Sequence, residues 1–227
     1  MTKINILWIL FSYLLGSIPF GYIITKLSTK KNVLEVGWKK TSGSNVYKNI
    51  GKWQGVLTGL LDLGKGFMAV KLGQILNMSD LTLALSGVAA VTGHNWSCFL
   101  RFAGGRGIGT FVGAALALSP KLLGLSIFFP LVLALIWNAS IATILFLATI
   151  IVLAYKYNQS ETMGLFAVIS LFPIFIKRLS PISDLLNKHQ KTPKNRIVLM
   201  RNRLIFDDDI TYLEPRIVKL IKKLSWW

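Results

Sequence analysis

The sequence predicts an all-α, polytopic integral membrane protein that crosses its bilayer about seven times, with about five crossings as the alternative count. Three observations lead there. Hydrophobic residues make up 53% of the 227 residues and the mean hydropathy is +0.56, too apolar for an ordinary soluble domain. The apolar residues gather in runs near the ~20 that a helix needs to cross hydrocarbon. The 26 Lys and Arg, set against nine Asp and Glu, crowd into alternate polar loops and the tail, the distribution that the positive-inside rule produces. The net charge of +17 is accounted for by those loops, so no nucleic-acid partner is expected; acidic lipid head groups and anionic substrates are. The single cysteine, Cys98, excludes an intramolecular disulfide, and its place at an apolar helix end predicts an inert buried thiol.

The first span is Ile4 to Leu27. It lacks a small-residue cleavage site after a short core and is expected to be retained. Gly16-Ser17-Ile18-Pro19-Phe20-Gly21 interrupts it, because Pro19 removes a backbone donor that lipid cannot replace. Residues 28–52 form a polar loop with Lys30, Lys31, Lys39, Lys40, Lys48 and Lys52 against Glu35 alone. That bias places the loop in the cytoplasm and the N-terminus outside. Within it, Thr41-Ser42-Gly43-Ser44-Asn45 is suited to a turn or to capping a helix that starts near Asn45.

Lys52 to Asn77 is the second span, with Asp62 and Lys65 inside it. Ionisable residues in a bilayer are costly and face a polar cavity or each other; a spacing of three permits a pair on one helix face. Leu81 to Phe102 is the third span and carries His94 and Asn95 to its cytoplasmic end. No second histidine or carboxylate stands at ligand spacing there, and no metal is expected. The loop Ala103-Gly104-Gly105-Arg106-Gly107 follows. Glycines bring backbone N–H groups close to a ligand, the helix beyond adds donors and a favourable dipole, and Arg106 offers a charged fork. It reads as an anion cradle or as a plain connector between two spans.

Gly107 to Leu118, Leu122 to Ile136, Ala139 to Tyr155 and Thr162 to Ile176 complete the apolar runs. The first is too short to span alone unless the bilayer thins or protein surrounds it. With seven crossings, residues 28–52, the glycine loop and the tail all face the cytoplasm. The chain thus divides into a transmembrane part, residues 1–178, and a basic cytoplasmic tail, residues 179–227. Pro181 and Pro193 break the tail, and Asp207-Asp208-Asp209 forms an acidic turn. At residues 216–227, Ile217, Leu220, Ile221 and Leu224 share one helical face, with Lys219, Lys222 and Lys223 elsewhere, as in a helix lying in the membrane interface.

Tyr13-Leu-Leu-Gly-Ser-Ile-Pro-Phe-Gly21, Asp62-x-x-Lys65-Gly66, and His94-Asn-Trp followed by Phe99-Leu-Arg-Phe-x-Gly-Gly-Arg-Gly-Ile-Gly-Thr110 give the chain its resemblance to the bacterial acyl-phosphate:glycerol-3-phosphate acyltransferases, the PlsY family. The likeness covers roughly residues 10–180. The resemblance implies an inner-membrane, multi-pass enzyme without a cofactor, its active site facing the cytoplasm, that moves a fatty acyl group from acyl phosphate to glycerol 3-phosphate. It implies that the glycine loop holds the donor phosphate. Arg106 would act with Lys48 and Ser44 in catalysis, while Gly104, Gly105, Gly107, Asn45, His94 and Asn95 would bind or order the substrates.

The departures are specific. The family loop usually reads Gly-Gly-Lys-Gly, so Arg106 keeps the charge and changes the shape. Where the family's first loop reads Gly-Ser-Gly-Asn and then Thr-Asn-Val-x-Arg, this chain has Gly37-Trp38-Lys39-Lys40 and Ser44-Asn45-Val46-Tyr47-Lys48. A third motif, His-x-x-Asn-Ile-x-Arg-Leu, is matched only by fragments at Asn195-Arg196-Ile197 and Arg201-Asn202-Arg203-Leu204, with His189 out of register. Two rivals therefore stand beside the family reaction: a different small alcohol as acceptor, and a non-catalytic scaffold for lipid synthesis.

Overall fold

The computed structural model describes residues 1–136, 138–180 and 193–206, and these are helical or looped with no strand among them. Helices α1 (Lys3–Ser17) and α2 (Phe20–Thr29) are the two halves of the expected first span, broken at Ile18-Pro19. Thr2 caps α1 by accepting from the Asn5 N–H. A single 3₁₀ turn, Val33–Glu35, leads to α3 (Gly43–Asn49), which starts two residues earlier than expected, with Ser42 at the cap position. Then come α4 (Lys52–Ile75) and α5 (Asp80–Asn95), the latter capped by Ser79. After the glycine loop, α6 (Ile108–Leu118), α7 (Pro120–Ile136), α8 (Ala139–Lys156) and α9 (Leu165–Arg178) follow. Asn138 opens α8 by accepting from Ser140 and Ile141, and a π-helical turn, Ser160–Gly164, precedes α9. Three stretches, Lys3–Thr29, Ala139–Lys156 and Ser160–Arg178, are long and apolar enough to cross a membrane, while Ile108–Leu118 and Pro120–Ala134 are shorter apolar helices.

The third run differs from expectation. Helix α5 stops at Asn95, and residues 97–103 form a closed loop fastened by Phe102 N–H to Ser97 C=O at 2.8 Å and Ser97 N–H to Ala103 C=O at 3.1 Å. Arg101 and Phe102 turn the chain back through φ of 50° and 63°. Cys98 sits on the one-turn 3₁₀ helix of this loop and is exposed, contrary to the buried thiol expected.

Small residues let the helices approach backbone to backbone, the packing that substitutes for a hydrophobic drive in lipid. On α1 and α5, a side chain on Gly16 would collide with the Ala90 carbonyl, and one on Gly93 with that of Tyr13. On α4 and α6, Gly66 abuts the Thr110 carbonyl and Gly113 that of Leu63. The short α6 is thereby buried in protein, which is how so brief an apolar helix is accommodated. Its last turn is closed by Gln74 Nε2, which donates to the Ala117 carbonyl at 2.8 Å. Beyond it the core centres on Phe111, stacked on Phe166 with centroids 4.6 Å apart and edge-on to Phe146.

Residues Met1–Lys177 form one compact unit and Arg178–Trp227 a second. In the second, α10 (Pro193–Phe206) is tied to the preceding chain by exchanged arginines. Arg178 Nη1 donates to the Leu204 carbonyl at 2.7 Å, and Arg203 Nη1 to that of Leu179 at 3.1 Å. The acidic turn 207–209 and the expected interfacial helix 216–227 lie outside the described residues, as does His189.

Candidate active site

The break in the first span shows how polar groups are managed at depth. Pro19 ends the backbone ladder, leaving the Ser17 carbonyl without a helical partner and that of Ile18 with only the Phe20 N–H at 3.1 Å. Ser97 Oγ donates to the Ser17 carbonyl at 2.6 Å, and Lys65 Nζ to that of Ile18 at 2.9 Å. Lys65 also lies 3.0 Å from Asp62 Oδ1, the pair that the spacing predicted. The same oxygen is 3.4 Å from His94 Nδ1. A polar cluster therefore runs from α4 to the end of α5, and all three side chains are buried. His94, at the last turn of α5 as the sequence places it, is 5% exposed.

The glycine loop rests on this cluster. A side chain on Gly105 would strike His94 Nε2, and one on Gly104 the carbonyl oxygens of His94 and Asn95. Gly107 is the position that needs left-handed freedom, at φ +77°, and its open Cα faces Asn95 Oδ1. Gly104 and Gly105 are thus required for closeness, and Gly107 for conformation. The Gly105 N–H is already spent on the His94 carbonyl at 3.1 Å, so it is not an anion donor. The N–H groups of the first turn of α6, at Ile108, Gly109 and Thr110, precede the first bond of the helix, from the Phe111 N–H to the Gly107 carbonyl, and have no acceptor in their own helix. Arg106 is half-buried beside them.

Two groups of α9 that the sequence reading did not single out, the Pro173 carbonyl and Lys177, join the loop. Asn95 Nδ2 donates to the Pro173 carbonyl of α9 at 2.8 Å, holding that helix against the end of α5. One turn further along α9, Lys177 Nζ reaches the Phe102 carbonyl at 3.4 Å and lies 5.4 Å above the Trp96 ring. Arg106 and Lys40 are near enough to act on its charge. Counted without gaps, Phe172-Pro-Ile-Phe175-Ile176-Lys-Arg178-Leu179 places the Ile, Arg and Leu of the family's third motif in register. Phenylalanines, Phe172 and Phe175, stand where the motif has His and Asn, so its polar signal is absent from this stretch.

The first loop is organised by Asn45, which is fully buried. Its Oδ1 accepts from the Trp38 N–H at 2.9 Å and from Asn49 Nδ2 at 2.9 Å, and its Nδ2 donates to the carbonyls of Lys40 at 2.7 Å and Val36 at 3.2 Å. With both ends of the amide so engaged, Asn45 fixes the backbone of the loop. Gly37 and Lys39 take φ of 57° and 54°, the left-handed region, at the two places where the family pattern has glycine. Ser44 and Lys48 are exposed; Ser44 Oγ lies 3.3 Å from Ser42 Oγ, and the Lys48 ammonium sits 4.9 Å over the Trp38 ring. Gly43 of α3 and Gly109 of α6 both approach Gly59 of α4, so the starts of the two short helices converge.

The family profile described as glycerol-3-phosphate acyltransferase matches residues 6–188. The chain belongs to the glycerol-3-phosphate acyltransferase family. A curated family member from Prochlorococcus marinus, named glycerol-3-phosphate acyltransferase, is 41% identical over 117 residues, 52% of this chain and 59% of that protein. The chain therefore spans about three fifths of the length of the first curated relatives it matches. Glycerol-3-phosphate acyltransferase 1 of Dehalococcoides mccartyi is 34% identical over 178 residues, 74% of this chain and 85% of that one. Among solved structures, the glycerol 3-phosphate form of PlsY, an integral membrane glycerol 3-phosphate acyltransferase, superposes with a TM-score of 0.71 at 27% identity, covering 82% of this chain and 94% of that one. Its lysophosphatidic acid form gives a TM-score of 0.68 at 26% identity, with the same coverage. The glycerol-3-phosphate acyltransferase fold of this chain thus extends well beyond the glycine loop.

Proposed function

We propose that this chain transfers a fatty acyl group from acyl phosphate to the hydroxyl of glycerol 3-phosphate, giving lysophosphatidic acid in the first acylation of phospholipid synthesis. The observation that carries this reading is the glycine loop at the start of α6, braced from below by buried His94 and Asn95 and edged by Arg106. An acyl phosphate is a mixed anhydride and already activated, so orientation and charge stabilisation are the main requirements. The acceptor oxygen attacks the carbonyl carbon, and the tetrahedral oxyanion collapses with cleavage of the bond to the phosphate oxygen. Inorganic phosphate leaves. Arg106 and the first N–H groups of α6 hold the donor phosphate through this change, with Gly104, Gly105 and Gly107 giving it room. Ser44 and Lys48 serve the phosphates from α3, while Asn45, His94 and Asn95 keep the two loops in place. The acceptor proton passes to a substrate phosphate oxygen, because Asp62, the buried acid nearest the loop, is engaged by Lys65 and His94.

The polytopic arrangement proposed is about seven spans with the N-terminus outside, residues 1–178 in the inner membrane and the basic tail in the cytoplasm. The first loop, the glycine loop and the site then share the cytoplasmic face, and the acyl chain lies among the helices. The change to Trp38 and Lys40 in the first loop favours one alternative, a different small alcohol as acceptor.

The test is acyl transfer by the purified protein from palmitoyl phosphate, with and without glycerol 3-phosphate. Lysophosphatidic acid is expected from the wild type and a drop of at least about a hundredfold in Arg106→Ala, the scale of one lost charge-stabilising donor. Donor consumption that ignores glycerol 3-phosphate but responds to another alcohol would move the reading to the alternative acceptor. Product formation unchanged in Arg106→Ala would remove the loop from the mechanism.

A further inference from the structure

We infer that residues 97–103 form a rigid lip that sets Phe99 and Phe102 into the lipid leaflet beside the glycine loop, and that the acyl donor enters over this lip from the leaflet. The lipid contact goes beyond the acyl-transfer reading; the donor's path rests on it. Ser97-Cys98-Phe99-Leu100-Arg101-Phe102-Ala103 runs directly into Gly104. Phe99 and Phe102 are 60% and 62% exposed, two large apolar side chains on a loop of seven residues. In water such a pair would be driven to pack against the protein. The backbone instead holds them out. The N–H groups of Leu100 and Phe102 both donate to the Ser97 carbonyl, at 3.1 and 2.8 Å, the Ala103 N–H donates to that of Leu100 at 2.9 Å, and the Ser97 N–H to that of Ala103 at 3.1 Å. Arg101 and Phe102 stand at φ of 50° and 63°, a region costly for bulky residues and open to glycine. The loop keeps a phenylalanine there, with its ring outside. Pairing backbone groups internally is also what a segment entering lipid requires.

The depth of the loop follows from its attachments. Tyr13 Oη donates to the Trp96 carbonyl at 2.8 Å, and Ser97 Oγ to that of Ser17 at 2.6 Å. Tyr13 and Ser17 lie within Lys3–Thr29, a stretch long and apolar enough to cross a membrane. On the other side, Lys177 Nζ donates to the Phe102 carbonyl at 3.4 Å, from the last turn of Ser160–Arg178, a second such stretch. The loop is thus fastened inside one span and at the end of another, which is the level where hydrocarbon meets head groups. Phenylalanines at that level lie in lipid, and Arg101, exposed between them, offers a cation to head-group phosphates. Those two properties together fit the leaflet as occupant. An acyl phosphate has the same two parts, an apolar tail and a phosphate, so it lies in the same leaflet with its phosphate at the level of residues 104–107.

Cys98, the one cysteine of the chain and exposed on this loop, takes a fluorophore without any substitution. The labelled full-length protein is placed in vesicles of phosphatidylcholine and phosphatidylglycerol. Its quenching by nitroxides on the lipid acyl chains is then compared with quenching by iodide in the water. Stronger quenching by the lipid nitroxides is expected. Stronger quenching by iodide places the loop in water, and quenching by neither places it under protein; either result overturns the inference. The donor's path is read by kinetics. Phe99→Ser combined with Phe102→Ser should raise the KM for palmitoyl phosphate about tenfold and leave that for glycerol 3-phosphate unchanged. No rise, or an equal rise for both substrates, removes the path. If the double variant does not fold, Phe99→Ser alone carries the same comparison. Phe99→Trp, which keeps an aromatic ring in the leaflet, should retain the wild-type KM. A probe quenched by lipid on a wild type that makes no lysophosphatidic acid would uphold the lip and remove the acyl-transfer reading instead.

Discussion

Replacing Asp62 by Asn tests whether the buried acid holds the structure or handles a proton. Asp62 and Lys65 are each 4% exposed, and Asp62 Oδ1 lies 3.0 Å from Lys65 Nζ and 3.4 Å from His94 Nδ1. Asparagine keeps the shape and removes the charge. The Lys65 ammonium then remains buried, with the Ile18 carbonyl as its acceptor. Removing one partner of a buried ion pair costs about 3–5 kcal/mol. For a protein of this size that corresponds to a fall in Tm of roughly 6–20 °C. A double variant, Asp62→Leu with Lys65→Met, removes both charges and is expected to recover most of the loss. What is not recovered, about 0.5–1.5 kcal/mol, is the hydrogen bond from Lys65 to the Ile18 carbonyl, which keeps the Phe20 N–H as its other donor. Thermal unfolding of purified protein in one detergent provides the measurement, with acyl transfer recorded well below each Tm. Asp62→Asn should be less stable and retain turnover at low temperature. An unshifted Tm together with abolished transfer would refute the argument and make Asp62 the proton acceptor.

Two further substitutions examine the loops. Gly104→Ala places a methyl group against the backbone oxygens of His94 and Asn95, atoms that cannot rotate away, so activity should fall sharply and stability by about 1–3 kcal/mol. Gly64→Ala, where nothing lies within 4 Å, should raise Tm slightly through helix propensity; equal effects from the two alanines in unfolding scans would mean that packing under the loop is not what those glycines serve. Lys39→Gly should raise Tm, since Lys39 holds φ +54° in the region that favours glycine, and a lower Tm would show that the lysine side chain contributes more than its backbone costs.

The elements were readable because the chemistry that makes them is local. Apolar runs bounded by Pro, Gly and Lys marked α4, α7 and α8 within a few residues, and Pro19 marked the break in the first span. The spacing of Asp62 and Lys65 gave their pairing directly. What escaped was set by contacts distant in sequence. His94 looked like a residue at a helix end because nothing near it in the chain announces Asp62, more than thirty positions earlier. The early stop of α5 depends on Arg101 and Phe102 adopting φ above 50° or near it, which neither residue type signals. Lys177 stands in the sequence just past the last apolar run, beside the basic tail, and only the packing of α9 on Asn95 turns it inward.

The kink at Ile18-Pro19 also bears on how the protein is made. Membrane segments emerge in order from the N-terminus, and the first enters with a broken ladder at mid-depth. The groups that donate to the carbonyls at the break, on Lys65 and Ser97, belong to segments that have yet to be synthesised. Until then the Ser17 carbonyl, unmatched in hydrocarbon, costs several kcal/mol, so the first segment is expected to stay near water until its partner arrives. Ser97 precedes the glycine loop by six residues, counting to Ala103. Biogenesis is thereby timed: the first segment settles fully only when the chain has reached the glycine loop, so a truncated product ending before Ser97 should be recognised as unfinished by membrane proteases.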